Sequence, residues 1–243
     1  LFFYDNFHIC TPYLYDILYQ NFFHFSMINL LFQNPIQFFI VAILLIIAIS
    51  IHEFSHALAA DRLGDPTPRL AGRLTLHPAA HLDPIGSMLL LFVGFGWGKP
   101  VPFDPFNLRN PKKDAALISF AGPFSNLIMA VAGSLLLRFA TIIPSLALSS
   151  FISETMITFI YFNILLAIFN LIPIHPLDGF KVIAGLIPKK YYEDWLSLER
   201  YGWVFLMLMI IPFFGVSPIS TLISPIMNFL LSFLLPSKIG GII

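Results

Sequence analysis

Two histidines and a glutamate stand where ionisable side chains are expensive. Residues 36–60, IQFFIVAILLIIAISIHEFSHALAA, contain only three ionisable groups, His52, Glu53 and His56. At about 1.5 Å of rise per residue the two histidines lie about 6 Å apart along a helix and on one face, so both imidazoles can reach one metal ion. Glu53 is the neighbour that can touch water at the same ion. A carboxylate at the centre of a bilayer costs about 2.5 to 3.5 kcal/mol on insertion scales. An H-E-x-x-H in such a run therefore marks a site, and the chemistry it suits is metal-assisted hydrolysis. The plain alternative is a chance recurrence of a short motif, with the histidines serving only packing.

The elements that must hold these groups are membrane elements. Hydrophobic residues make up 58% of the chain and charged ones 11%, against about 25% charged in soluble proteins. The expected class is an all-α multi-pass membrane protein with about five to six transmembrane helices. A formal net charge of zero, with no basic patch interleaved with aromatics, argues against nucleic acid as a partner. Cys10 is the only cysteine, which excludes an intrachain disulfide and a thiolate metal cluster.

Residues 1–26 are dense in aromatics and lack the basic n-region and small-residue cleavage site of a signal peptide, so they read as an N-terminal extension with Met27 as an alternative start. Residues 27–243 read as one membrane domain. Residues 12–32 suit either the membrane interface or an extra span. After the span at 36–60 comes a polar stretch, 61–114, punctuated by proline and glycine. Within it IGSMLLLFVGFGW, 85–97, is too short for a hydrocarbon core of about 30 Å and predicts a re-entrant or interfacial element between the first two core helices. Leu70, Leu74 and Leu76 alternate with small or polar residues and predict a short strand or hairpin. Further spans are expected over 115–137 and 151–173, with weaker ones over roughly 196–215 and 219–235.

With these spans, every lysine and arginine except Arg138 falls on one face, which the positive-inside rule places in the cytoplasm. His52 then lies about 12 Å inside the cytoplasmic end of its span. Asp178 reaches a similar depth, because it follows the cytoplasmic end of the third span in Asn170-Leu171-Ile172-Pro173-Ile174-His175-Pro176-Leu177-Asp178-Gly179.

A catalytic zinc takes three protein ligands and keeps a fourth place open, so one ligand remains to be found. Asp178 is the leading candidate: two prolines hold extended backbone before it, and Gly179 permits a tight turn after it. A carboxylate also offsets more of a dication's charge in a low-dielectric site than imidazole does. His175 is the rival, and an ordinary turn is the plain reading of P-L-D-G. Asn126, in the second span with Gly122-Pro123-Phe124-Ser125 before it, either faces the metal site or bonds a neighbouring helix.

HEFSH, GPFSN and N-x-x-P-x-x-x-x-D-G together resemble the site-2 protease family of intramembrane zinc metalloproteases. The likeness runs through DRLGDPTPRLAGRLTLHPAAHLDPIG, FGWGKPVPF and NLIPIHPLDG, covers about Met27 to Trp203, and is closest to the compact prokaryotic branch without a PDZ domain. The resemblance implies one zinc ion held by His52, His56 and Asp178, with Glu53 as general base. It also implies that the region of Asn126 and Asn170 orients substrate or stabilises an oxyanion. The substrate would be a transmembrane protein in the lipid bilayer of the cell membrane, cut at a site facing the cytoplasm. Two residues depart from the pattern: His175 stands where proline is usual and His77 where asparagine is common, and each is a competing ligand.

Two other classes compete. A cation transporter or channel would spread ionisable groups over several depths, whereas here they converge at one. A catalytically inactive protein that binds membrane helices would be expected to lack Glu53 or a ligand, and none is missing.

Overall fold

The run around the H-E-x-x-H folds as one 29-residue helix, Pro35–Leu63, because nothing inside it interrupts the backbone ladder and both ends carry stop signals. Asn34 caps the start by accepting from the Gln37 amide at 3.1 Å, with Pro35 in the first turn. Gly64, at φ 106°, ends it in the left-handed region. The structure, a computed structural model, describes residues 27–142, 150–212 and 217–236.

In chain order the helices are α1 (Met27–Gln33), α2 (Pro35–Leu63), α3 (Thr67–Leu70), α4 (Pro84–Val93), α5 (Pro111–Ile142), α6 (Ser150–Asn170), α7 (Asp178–Leu186), α8 (Tyr192–Ser197), α9 (Gly202–Ile210) and α10 (Pro218–Leu234). Three of them, α2, α5 and α6, are long and apolar enough to cross a membrane. They match the spans expected at 36–60, 115–137 and 151–173. α5 is the central element and packs against α2, α6 and α7, while α10 packs on α6. Val41, Ala130, Ile160, Ile164 and Ile219 form the seam and are buried. The outward faces are apolar as well, with Phe39 and Ile43 on α2 and Ile128 and Leu135 on α5 exposed. A bundle apolar inside and out is suited to hydrocarbon.

The polar stretch 61–110 is held by two buried charged side chains. Asp65 accepts from the Thr67 amide and hydroxyl, the Asp104 amide and the Asn107 side chain. Burial pushes its carboxyl up, but these donors outweigh burial and hold it below the usual carboxylate range. Arg73 donates to the carbonyls of Ala80, Lys99 and Pro100. The two together draw the segment after α4 back beside α2.

Several expectations change here. The alternation at Leu70, Leu74 and Leu76 does not make a strand: residues 71–76 form turns, bends and irregular backbone, and Leu70 and Leu76 stay exposed. Among the described residues the only antiparallel pairing in this region is an isolated bridge between Leu82 and Gly98. The apolar stretch at 85–97 is a ten-residue helix, α4, capped by the Asp83 side chain on the Gly86 amide at 2.8 Å. Gly94, at φ 80°, ends it and turns the chain back. Of the span expected over 196–215, residues 213–215 lie outside the described residues; the described part forms a 3-10 turn, Leu198–Tyr201, and the nine-residue α9, about 13 Å in length and short of a hydrocarbon core. α10 has 17 residues, about 25 Å. The N-terminal extension, residues 1–26, lies outside the described residues.

Candidate metal centre

Helical spacing puts His52 and His56 on one face of α2, turned toward α5 and the start of α7. Their Nε2 atoms lie 3.0 Å apart. Asp178 Oδ2 lies 3.1 Å from the first and 3.2 Å from the second. Both histidines are buried. Asp178 arrives because the chain leaving α6 folds back tightly and restarts as α7 at Asp178 itself. Gly179 is what permits that fold: a Cβ there would stand 2.2 Å from the Leu171 carbonyl oxygen and 2.5 Å from that of Ile172. Its use is thus a close approach of backbone to backbone.

The other nitrogen of each ring is held from behind. His56 Nδ1 lies 2.7 Å from the Ile118 carbonyl; a carbonyl only accepts, so Nδ1 carries the proton. Ile118 lies near Pro123, whose ring leaves the Ser119 carbonyl without its helical donor. His52 Nδ1 lies 2.6 Å from Asn126 Oδ1. The Asn126 amide nitrogen donates to the Ala48 carbonyl at 3.3 Å and to Asn163 Oδ1 at 3.0 Å, so its oxygen faces His52 and Nδ1 again carries the proton. A neutral imidazole protonated at Nδ1 has its lone pair at Nε2.

Three electron-rich atoms, two imidazole nitrogens and a carboxylate oxygen, therefore face one another at 3.0 to 3.2 Å. That packing is repulsive unless a cation lies among them. Ligands about 2.0 to 2.2 Å from a tetrahedral zinc stand about 3.3 Å from one another, close to the spacing seen. The donor set, two histidines and one carboxylate, fits a catalytic zinc with an open fourth place. Among the described residues it is the group of histidine and acidic side chains positioned to hold a metal ion.

The triad opens on a cavity of about 230 Å³ whose wall includes Glu53, Phe95, Trp97, Asn170, Lys181 and Trp203. Among the described residues no hydrogen bond holds the Glu53 carboxylate. A second cavity of about 310 Å³, lined almost wholly by apolar side chains of α2, α4 and α6, shares Ile49, Phe95, Gly96, Trp97, Leu166 and Phe169 with the first.

The structure thus brings His52, His56, Glu53 and Asp178 to one cavity. Asn126 is fully buried behind His52 with its amide hydrogens donated to protein oxygens, which leaves none for a substrate carbonyl. Asn170 lines the cavity and donates to the Leu166 carbonyl at 2.9 Å. Neither competing histidine joins the triad. His175 Nε2 pairs with Glu199 at 3.1 Å, and burial lowers its pKa despite that carboxylate. His77 caps the 3-10 turn Pro78–Ala80 and is exposed.

Gly122 is a residue of the site that spacing alone does not reveal. A Cβ there would stand 2.3 Å from His56 Nε2 and 2.7 Å from His52 Cε1, so its hydrogen is what admits both rings. The available signal was a glycine next to a proline inside a span. Asn163 is the other such residue, and its signal was an asparagine in the third span.

Among curated proteins the chain is similar to "Putative zinc metalloprotease YwhC" of Bacillus subtilis (strain 168), 39% identical over 176 residues, which cover 71% of this chain and 80% of that protein. It is also similar to two proteins named "Putative zinc metalloprotease Rip2". That of Mycolicibacterium smegmatis is 28% identical over 188 residues, 73% of this chain and 70% of the relative. That of Mycobacterium tuberculosis (strain ATCC 25618 / H37Rv) is 26% identical over 183 residues, 70% of this chain and 68% of the relative. No family model and no solved structure matches the chain.

Proposed function

Because this chain belongs to the site-2 protease family of zinc metalloproteases, we propose that it hydrolyses peptide bonds in or near the transmembrane helices of membrane proteins. The observation that carries the reading is the convergence of His52 Nε2, His56 Nε2 and Asp178 Oδ2 beside the Glu53 carboxylate in one cavity. These three atoms hold one zinc ion. When bound, zinc polarises a peptide carbonyl and brings the pKa of water to about 7.

Glu53 is the general base: its carboxylate takes the proton from the attacking water and returns it to the leaving amine. Among the described residues no hydrogen-bond partner has to be displaced before it acts. Asn126 and the Ile118 carbonyl hold the two imidazoles with Nε2 bare of hydrogen. Asn170, with one amide hydrogen on Leu166 and the other left for the cavity, orients the substrate carbonyl.

The substrate is a transmembrane segment unwound over a few residues, since a helical carbonyl is occupied by its own ladder. The apolar cavity beside the metal cavity gives such a segment a hydrocarbon-like approach, and the shared wall at Phe95, Trp97 and Phe169 leads from one to the other. Residues 27–243 act as one membrane domain, with 1–26 an extension. The segments after α2, before α5 and after α6 carry the lysine and arginine excess, so the site faces the cytoplasm of a multi-pass cell-membrane protein.

The test is Glu53→Gln in purified protein. Cleavage of a single-span substrate is expected to be lost while bound zinc stays at the parent level. Retained turnover would rule out this mechanism.

A further inference from the structure

The Asn126 amide can be rotated by 180° with little change in shape, yet only one orientation presents its oxygen to His52 Nδ1. Something must select it, and the shorter of the two bonds that do so comes from α6, an element that supplies no metal ligand. Asn163 is fully buried there. Its amide nitrogen donates to the Phe159 carbonyl of its own helix at 2.9 Å. A backbone carbonyl only accepts, so Asn163 must turn its nitrogen to Phe159 and its oxygen outward. That oxygen accepts from Asn126 Nδ2 at 3.0 Å, which sends Asn126 Oδ1 to His52. The Ala48 carbonyl supports the same orientation less strongly, at 3.3 Å.

We infer that Asn163 is a positioning residue of the metal centre: by fixing the orientation of the Asn126 amide, it holds His52 as the tautomer whose Nε2 is free to bind metal. Polarity passes in one direction along the chain, from the Phe159 carbonyl through Asn163 and Asn126 to the imidazole. Without Asn163 the Asn126 amide is held only by the longer bond to Ala48. A flipped Asn126 would present N–H to Nδ1 and drive the ring proton onto Nε2, blocking the ligand atom. The step rests on His52 being a metal ligand, as proposed above.

The experiment measures metal affinity, not turnover. The full chain in detergent micelles is titrated with Co²⁺ in competition with a chromophoric chelator, and the cobalt ligand-field spectrum is recorded. Asn163→Ala is expected to weaken binding about 10-fold, the lower end of the range for removing the direct partner of a ligating histidine, which here is Asn126. Asn163→Leu, close in volume, replaces it should Asn163→Ala not fold. Asn163→Asp, as the neutral acid that this dry site favours, donates its hydroxyl to the Phe159 carbonyl and keeps an oxygen for Asn126, and is expected to bind within about threefold of the parent with the parent spectrum.

Asn126→Ala combined with Asn163→Ala is expected to bind no more weakly than Asn126→Ala alone, because the second residue acts only through the first. Parent-like affinity in Asn163→Ala, or losses that add in the double variant, would overturn the inference. A parent chain that takes up no cobalt, or takes it up equally well as Asp178→Ala, would instead overturn the metal assignment on which it rests.

Discussion

Replacing Gly122 by alanine separates helix stability from metal binding. In the interior of a helix alanine is favoured over glycine by about 0.8 to 1 kcal/mol, so propensity alone makes Gly122→Ala slightly stabilising. The site predicts the opposite for the metal. The new Cβ would stand 2.3 Å from His56 Nε2, 2.5 Å from His56 Cε1 and 2.7 Å from His52 Cε1. Non-bonded heavy atoms rest about 3.5 Å apart or more, so the rings must retreat by about 1 Å. They cannot do so freely, because His52 Nδ1 is held at 2.6 Å by Asn126 and His56 Nδ1 at 2.7 Å by Ile118.

Metal–ligand distances tolerate about 0.2 Å, so a shift of this size detaches at least one nitrogen. The loss should exceed that from removing an outer hydrogen-bond partner, and we expect zinc affinity to fall by at least about 100-fold. Chelator competition in detergent, paired with thermal unfolding of the metal-free protein, reads both effects. The expected result is weak zinc binding in a protein that still folds but melts no higher than the parent, because overpacking costs about 1 to 3 kcal/mol and offsets the helix gain. Zinc affinity within about threefold of the parent would refute the claim that Gly122 makes room for the ligands.

Asp178→Ala should reduce bound zinc from about one ion per chain to near none, whereas His175→Ala should keep its zinc and lose at most a modest part of the rate, because His175 is paired with Glu199 and lies outside the triad; elemental analysis of the two purified variants decides between them. Cysteines placed at Asn110 and at Leu146, the latter outside the described residues, should label from opposite sides of the membrane with Asn110 cytoplasmic, since α5, long and apolar enough to cross a membrane, lies between them. Labelling of both from one side would contradict that topology.

How much of this was legible in the sequence depends on how local the cause is. The two histidines follow from helical period alone, and Asp178 from counting depth along three apolar runs. Direction was harder. Asn126 was visible as a polar group in a span, but the side to which its amide turns depends on Asn163, thirty-seven residues away on another helix, and no periodicity carries that. The same holds for His175: its place three residues before Asp178 made it a rival ligand, and its pairing with Glu199 arises from how the chain returns after α8.

The alternating leucines at 70–76 misled because a strand needs a partner edge. Arg73, in their midst, is instead drawn inward by the carbonyls of Ala80, Lys99 and Pro100. Over 196–215 hydropathy alone suggested a span, while among the described residues the chain forms a 3-10 turn at Leu198–Tyr201 before the nine-residue α9.

The central claim is that a metal held by His52, His56 and Asp178 drives cleavage of membrane-embedded peptide bonds. Its most direct test is to reconstitute the purified protein in lipid vesicles with a panel of single-span membrane proteins and follow cleavage by mass spectrometry before chelation, after chelation and after zinc is restored. Products with new termini in or beside the apolar segment are expected, lost on chelation and recovered with about one zinc per chain. Cleavage that persists after the metal is removed, or zinc-loaded protein that cuts none of the panel, would contradict it.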